Sequence, residues 1–447
     1  MKILLLSFYD LGKQPKIVSE IYNKLNTDNV EIDFLDYSVD NTAIELSRYD
    51  ALGIYASMHT ATVLATQFLY KKELPDKIFS FGLYAHVLSD SDPRIHYIDN
   101  LDNEELCDYL KIKSDNGYSF KETVPDRTIF PNISEYTRLI DEGSNKITGS
   151  VETTYGCKHL CTHCPVPIQF QGSFKIFSER KIIEDVSNQI ELGAEHISFN
   201  DPDFFNGPKF SLKILEKLNK KYPLITYDST IKVEHILKYK DYFKELNNLN
   251  MLFVISAFES TNDLILKVLD KNHTFRDLED AIELSKKYNV DIRPTWMPFT
   301  PWTRLEDLHN IIELIENYEL RDTVDPIQLT IKLLIPKHSL IINRPEIKEY
   351  LGQYDAESFS YFWSYEDPKV DDLQKSLFNY VVNNEKLDMK DQYIGLVRLI
   401  EESTKTKIIK NKTYNYRNTP KLSETWFCCS EPNKIQLERI KTNNALI

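Results

Sequence analysis

Glycine is scarce in this chain, 12 in 447 residues. Loops that cradle phosphates on consecutive backbone N–H groups depend on that residue, so glycine-rich nucleotide loops are largely excluded. Positive charge is also in deficit. Lys and Arg total 54 against 68 Asp and Glu, a formal net charge of −14, which suits neither nucleic acid nor an anionic membrane surface. No apolar run approaches the roughly 20 residues that span a bilayer, and no basic segment with an apolar stretch opens the sequence. Cysteines number six, and their placement is not that of a disulfide framework. The expectation is a cytoplasmic protein with no membrane and no nucleic-acid partner.

What is present supports a large, well-packed chain. Apolar residues make up 42%, with 26 Tyr and 23 Phe, enough for two or three domains with aromatic cores. Residues 1–114 alternate short apolar runs (2–8, 30–35, 51–55, 78–83) with helix-like segments (17–25, 60–70). Continuous apolar strands separated by helices point to a doubly wound parallel sheet, whose ligands sit at the C-terminal strand ends. Here those ends are residues 7–10, 57–59 and 82–86, which include His59 and His86. Residues 115–146 lack periodicity, hold Pro125 and Pro131, and read as a linker. From residue 147 strand and helix patterns alternate again, with strand-like runs at 151–154, 196–199, 224–227, 252–256, 291–297 and 327–334. Ser178 is placed to cap a helix that Gly193 ends. Six such units predict a partial barrel over 147–345, with its chemistry at the C-terminal strand ends. Residues 346–447 form an extension, mainly helical, that ends in a Cys-Cys tail.

Half of the cysteines fall in one run, Cys157-Lys158-His159-Leu160-Cys161-Thr162-His163-Cys164. Thiolates are the natural ligands of iron–sulfur clusters. Three of them can hold three irons of a [4Fe–4S] cube and leave the fourth open, which separates a catalytic centre from a closed structural one. A zinc knuckle completed by His159 or His163 is the competing reading. Two ligands so close in sequence would strain its tetrahedron.

The Cys-x3-Cys-x2-Cys loop resembles that of radical SAM enzymes. The resemblance implies that Cys157, Cys161 and Cys164 hold the cluster and that S-adenosylmethionine (SAM) chelates the open iron. It also implies an electron donor such as a reductase, flavodoxin or ferredoxin. Asn200, Asp201 and Asp203 follow the second barrel strand, where the family presents groups to the SAM amine. Asp203 reads equally as the cap of the next helix. Ser256-Ala257-Phe258-Glu259-Ser260 resembles a Gly-x-Glu-Ser segment of the cobalamin-associated branch, in which the glutamate faces the ribose hydroxyls. Ala257 departs from the small glycine-type position. Arg293 is a candidate for the SAM carboxylate or for a nearby acid, and Lys232 for the barrel interior or for a solvated pair with Glu234.

The N-terminal region resembles the cobalamin-binding-type domains that precede many radical SAM barrels. The Asp-x-His-x-x-Gly motif that supplies an axial histidine is absent, so cobalamin is not the expected occupant. Near the end of the chain Cys428-Cys429-Ser430-Glu431-Pro432 offers two soft donors side by side. Together with the cysteine loop and residues 365–374, this tail resembles the CUAEP/CCAEP-tail radical SAM family, with Ser430 in place of the family's alanine. The resemblance spans essentially the whole chain. It implies a transferase similar to those of arsinothricin biosynthesis, which would move the 3-amino-3-carboxypropyl group of SAM to As(III), a small-molecule or metalloid substrate held by Cys428 and Cys429. The rival readings are a cobalamin-dependent radical methyltransferase and a non-catalytic metal- or metalloid-binding protein.

Overall fold

A computed structural model describes residues 1–40, 42–70, 73–113, 117–408 and 417–424. The N-terminal sheet holds β1 (Lys2–Ser7), β2 (Glu31–Asp36), β3 (Ala51–Tyr55), β4 (Lys77–Phe81) and β5 (Ile95–Ile98), with α1 (Lys16–Leu25), α2 (His59–Leu69), α3 (Ala85–Ser91) and α4 (Glu105–Leu110) between and after them. All pairings are parallel, in the order β2-β1-β3-β4-β5. The central strands β1 and β3 are covered on both faces, which is why their sequences are unbroken apolar runs. Strand order reverses between β1 and β3, and such a crevice is where open α/β sheets bind ligands.

The second sheet begins inside the stretch read as a linker. Strand β6 (Arg138–Asp141) turns at Glu142 and Gly143, both at positive φ, into β7 (Ser144–Val151). Next come a short ribbon of β8 (Thr154–Gly156) and β9 (Phe174–Ile176), joined across α5 (Val166–Phe170), then α6 (Glu179–Glu191) and β10 (His196–Phe199). The series continues with α7 (Pro208–Lys221), β11 (Thr226–Thr230), α8 (Val233–Lys238), α9 (Lys240–Phe243), β12 (Met251–Glu259), α10 (Asp263–Val268), α11 (Phe275–Tyr288), β13 (Asp291–Trp296) and α12 (Leu305–Asn317). Strands β7, β10, β11, β12 and β13 are parallel neighbours, with the amphipathic helices packed outside. Ser178 caps α6 and Gly193 follows it at φ +104.

The run 327–334 differs from a sixth strand. Pro326, which lacks an N–H, opens a 3₁₀ turn (Pro326–Thr330), and a single parallel bridge between Phe299 and Lys332 continues the sheet. The result is a curled half-barrel. The C-terminal region adds a hairpin of β14 (Leu351–Asp355) and β15 (Ser360–Trp363), then helices α13 (Pro368–Asn383) and α14 (Met389–Thr404). A last strand, β16 (Lys421–Leu422), pairs with β6 at the sheet edge. One buried ion pair fixes the first unit to the barrel, and a second ties the connecting segment to α6. Lys181 of α6 donates to Glu20 of α1 at 2.6 Å, and Arg127 forks onto Asp185 at 2.7 and 2.8 Å.

Candidate active site

The three cysteines lie in the connection between β8 and β9. Gly156 starts it at φ +97, where a Cβ would stand 2.5 Å from the Phe170 ring and 2.7 Å from the Ser173 carbonyl. No side chain fits there. Asp201, fully buried, anchors the approach to the loop: its carboxylate accepts from the N–H and hydroxyl of Thr153 and of Thr154, at 2.6–2.9 Å. Burial pushes its pKa up to about 6 against those bonds. On the far side the Thr162 N–H and hydroxyl donate to the carbonyls of Leu269 and Val268. The loop is therefore held from both flanks.

Cys157 and Cys161 are buried and Cys164 is half-buried; none is in a disulfide, and all three lie on the wall of one cavity of about 350 Å³. Burial pushes the Cys157 thiol up to about 12. Lys232 caps α8 and points its ammonium at Cys161 Sγ, 3.5 Å away. Three thiols converging on one cavity beside an ammonium group fit a cluster held by three cysteines, and the open side faces the cavity.

Glu259 ends β12 at φ +64, where the register with β13 slips between Ala257 and Glu259. A bulge of this kind re-aims a side chain, here into the cavity. Burial would raise the Glu259 pKa, but the Lys271 ammonium at 3.0 Å and His163 at 3.3 Å outweigh it and hold the carboxylate well below its usual range. Lys271 is itself buried, in a turn whose neighbours Asp270 and Asn272 both have positive φ. Neither Lys271 nor His163 stood out as a site residue in the sequence. A lysine in a polar turn carries no signal of burial, and His163 was weighed only as a zinc ligand.

The other expected residues divide. Asn200 lines the cavity and accepts from the Lys13 ammonium, which reaches over from the segment after β1. Asp203 lies beneath the cysteine loop, capping the 3₁₀ turn Phe204–Asn206. Arg293 faces away from the cavity. It bonds Thr419 and the Pro420 carbonyl at 3.2 Å and Asp325 at 3.3 Å, pinning the segment that leads into β16. His59 is buried against the Ser358 carbonyl at 2.5 Å, and neither it nor His86 lines the cavity. Cys428 and Cys429 lie outside the described residues.

The cavity does not stop at the barrel. Its opposite wall is formed by Asp10, Leu11, Gln14, Ser57 and Gly82, after β1, β3 and β4. The switch point of the first sheet and the mouth of the half-barrel therefore enclose one space. Among the described residues no helix is long and apolar enough to cross a membrane.

Residues 151–315 match the model of the Radical SAM superfamily. The chain is 24% identical over 195 residues to the ribosomal protein uS12 methylthiotransferase RimO of Clostridium botulinum, an alignment covering 40% of this chain and 44% of that protein. It thus spans less than half the length of that relative. Its fold is similar to OxsB, a cobalamin-dependent radical enzyme solved with aqua-cobalamin and SAM bound, with a TM-score of 0.63 over 90% of this chain and 71% of that one at 13% identity. It is also similar to the methyltransferase TsrM of Kitasatospora setae, solved with cobalamin and a [4Fe–4S] cluster, with a TM-score of 0.54 over 71% of this chain and 73% of that one at 12% identity. Setting cobalamin aside for want of a histidine motif is corrected by these likenesses: proteins of this fold are described with the corrinoid bound, and the missing motif alone excludes nothing. The expectation of an enzyme with [4Fe–4S] and SAM chemistry stands. Residues 151–315 thus match the Radical SAM superfamily, and the chain as a whole is similar in fold to OxsB and TsrM.

Proposed function

We propose that this protein is a radical SAM transferase that cleaves SAM reductively and passes a carbon group to a second molecule seated between its two units. The observation that carries this reading is the single cavity with three cysteines on one wall and the β1/β3 switch point on the other. Cys157, Cys161 and Cys164 would hold the [4Fe–4S] cluster, which supplies the electron that breaks a carbon–sulfur bond of SAM. Glu259, held ionised by Lys271, is suited to accept from two ribose hydroxyls. Asn200 presents a polar group on the same wall, with its side-chain oxygen bonded by the Lys13 ammonium from the first unit. Asp201 has its oxygens engaged by Thr153 and Thr154 and serves better as the anchor of the loop than as a ligand to the SAM amine. Arg293, turned toward Asp325, is a structural residue in this reading.

The opposite wall is suited to a corrinoid or to the acceptor itself. No histidine of the described N-terminal residues lines the cavity. A second reading, aminocarboxypropyl transfer to As(III), rests on the resemblance of the Cys428-Cys429 tail to the CUAEP/CCAEP-tail family, and the described chain stops short of those residues. Ser423 bonds the Arg138 carbonyl at 2.7 Å, and the Glu424 side chain bonds Tyr9, next to cavity-lining Asp10.

Mass spectrometry of SAM products from anaerobically reconstituted protein, with and without arsenite, tests both readings. 5′-Deoxyadenosine or S-adenosylhomocysteine with a corrinoid absorbance fits radical methyl transfer. Arsenite-dependent methylthioadenosine, abolished in the C428S/C429S protein, fits the arsenic reading. No SAM cleavage in cluster-loaded protein would leave a metal-binding function only.

A further inference from the structure

Behind the cysteine loop, on the side away from Glu259, three buried side chains from three segments converge. His159 comes from the loop itself, Asp203 from the cap of the turn after β10, and His235 from α8. Their relative exposures are 8, 0 and 0%. Asp203 Oδ2 lies 2.5 Å from His235 Nδ1 and 3.7 Å from His159 Nε2, and the two Nε2 atoms are 3.2 Å apart. One donor atom from each residue falls within 4.8 Å of the others.

We infer that His159, Asp203 and His235 form a second metal site, distinct from the cluster, for a divalent transition ion of the zinc type. Two imidazoles and a carboxylate are a fitting donor set for such an ion, and three protein ligands leave a position for water. Asp203 Oδ2 and His235 Nδ1 approach closely, yet neither makes an aligned hydrogen bond among the described residues. A divalent cation drawn into this site would take the carboxylate oxygen and an imidazole nitrogen as ligands in place of that close approach, the two side chains moving apart around it. Glu234 Oε2 stands 3.6 Å from His159 Nδ1, the place of an outer carboxylate that orients a ligating ring. His159 lines the cavity, which gives the ion a route in. The simplest rival is a plain His235–Asp203 ion pair.

Full-length, cluster-loaded protein stripped with EDTA and then titrated with Zn²⁺ decides between them. The expected result is close to one zinc per chain beyond the cluster iron. Its X-ray absorption should show an N/O shell at about 2.0–2.1 Å and no sulfur shell near 2.3 Å. H235Q and D203N should each weaken zinc binding by roughly ten- to a hundredfold, with iron content and the cluster's electron paramagnetic resonance unchanged. A zinc–sulfur shell, no zinc retained by the folded wild type, or equal zinc affinity in folded variants would overturn the assignment. The wild-type spectrum stands whether or not the variants fold.

Discussion

At the scale of single residues, the site turns on how buried charges are compensated. Glu259 stays ionised because Lys271 and His163 flank it. Glu259→Gln keeps the shape but removes the charge, so SAM affinity should fall by about 1.5–3 kcal/mol, roughly ten- to a hundredfold, with iron content unchanged. Calorimetric titration of SAM into the cluster-loaded variant measures it, and equal affinity would return Glu259 to a packing role. Asp201 behaves oppositely. Its folded pKa is raised to about 6 by burial, above the unfolded 3.8, so the native state binds its proton more tightly. This group's contribution to stability is therefore full below about pH 4 and lost as pH rises toward 6. Denaturation of wild type and Asp201→Asn at both ends of that window should show wild type losing more stability with rising pH, by up to about 3 kcal/mol. Parallel pH profiles would contradict the assignment.

The residue scale is also where the sequence was most and least legible. The cysteine spacing is local, so it could be read directly. Glu259 was legible as a motif, but its aim depends on a bulge in β12 that no spacing announces. Lys271 and His235 gain their character only from burial and from partners distant in sequence. Arg293 illustrates the converse: a strand arginine carries no mark of which side it faces, and here it holds the segment leading into β16.

At the scale of elements, the β8–β9 ribbon is the part most sensitive to small change. Gly156→Ala adds one methyl where φ is +97 and the Phe170 ring and Ser173 carbonyl leave no room. The loop must shift, and iron per chain after reconstitution should drop well below that of wild type while the rest of the fold persists by circular dichroism. Unchanged iron loading would mean that the loop tolerates the strain. The central strands of the first sheet followed from apolar periodicity, because parallel strands covered on both faces are written as unbroken apolar runs, whereas β5, β6 and the β8–β9 ribbon are short or polar and gave no such signal. The run 327–334 was misleading for the same reason. It is apolar because it is buried, and Pro326 decides that it bends before it pairs.

For the whole molecule, charges that water does not reach tie the segment between the two units to the barrel. Arg127 and Asp185 form a two-pronged pair with side chains 1 and 2% exposed. Removing one partner leaves the other uncompensated, so Arg127→Ala should cost about 3–5 kcal/mol. Because the pair ties the segment after the first sheet to α6, wild type should melt as one calorimetric transition and the variant earlier. A variant melting with wild type would show that the units are held by other contacts.

The cavity shared by these units has a thermodynamic corollary. A molecule resting on the β1/β3 crevice and a SAM molecule beside Glu259 would occupy one enclosure, with Lys13 reaching from the first unit to Asn200 of the second. Whatever factor the first ligand imposes on the affinity of SAM, SAM must impose on the first ligand, since the coupling belongs to the pair. Occupancy on one side thus sets readiness on the other, and the order in which the two arrive changes the kinetics without changing the final balance.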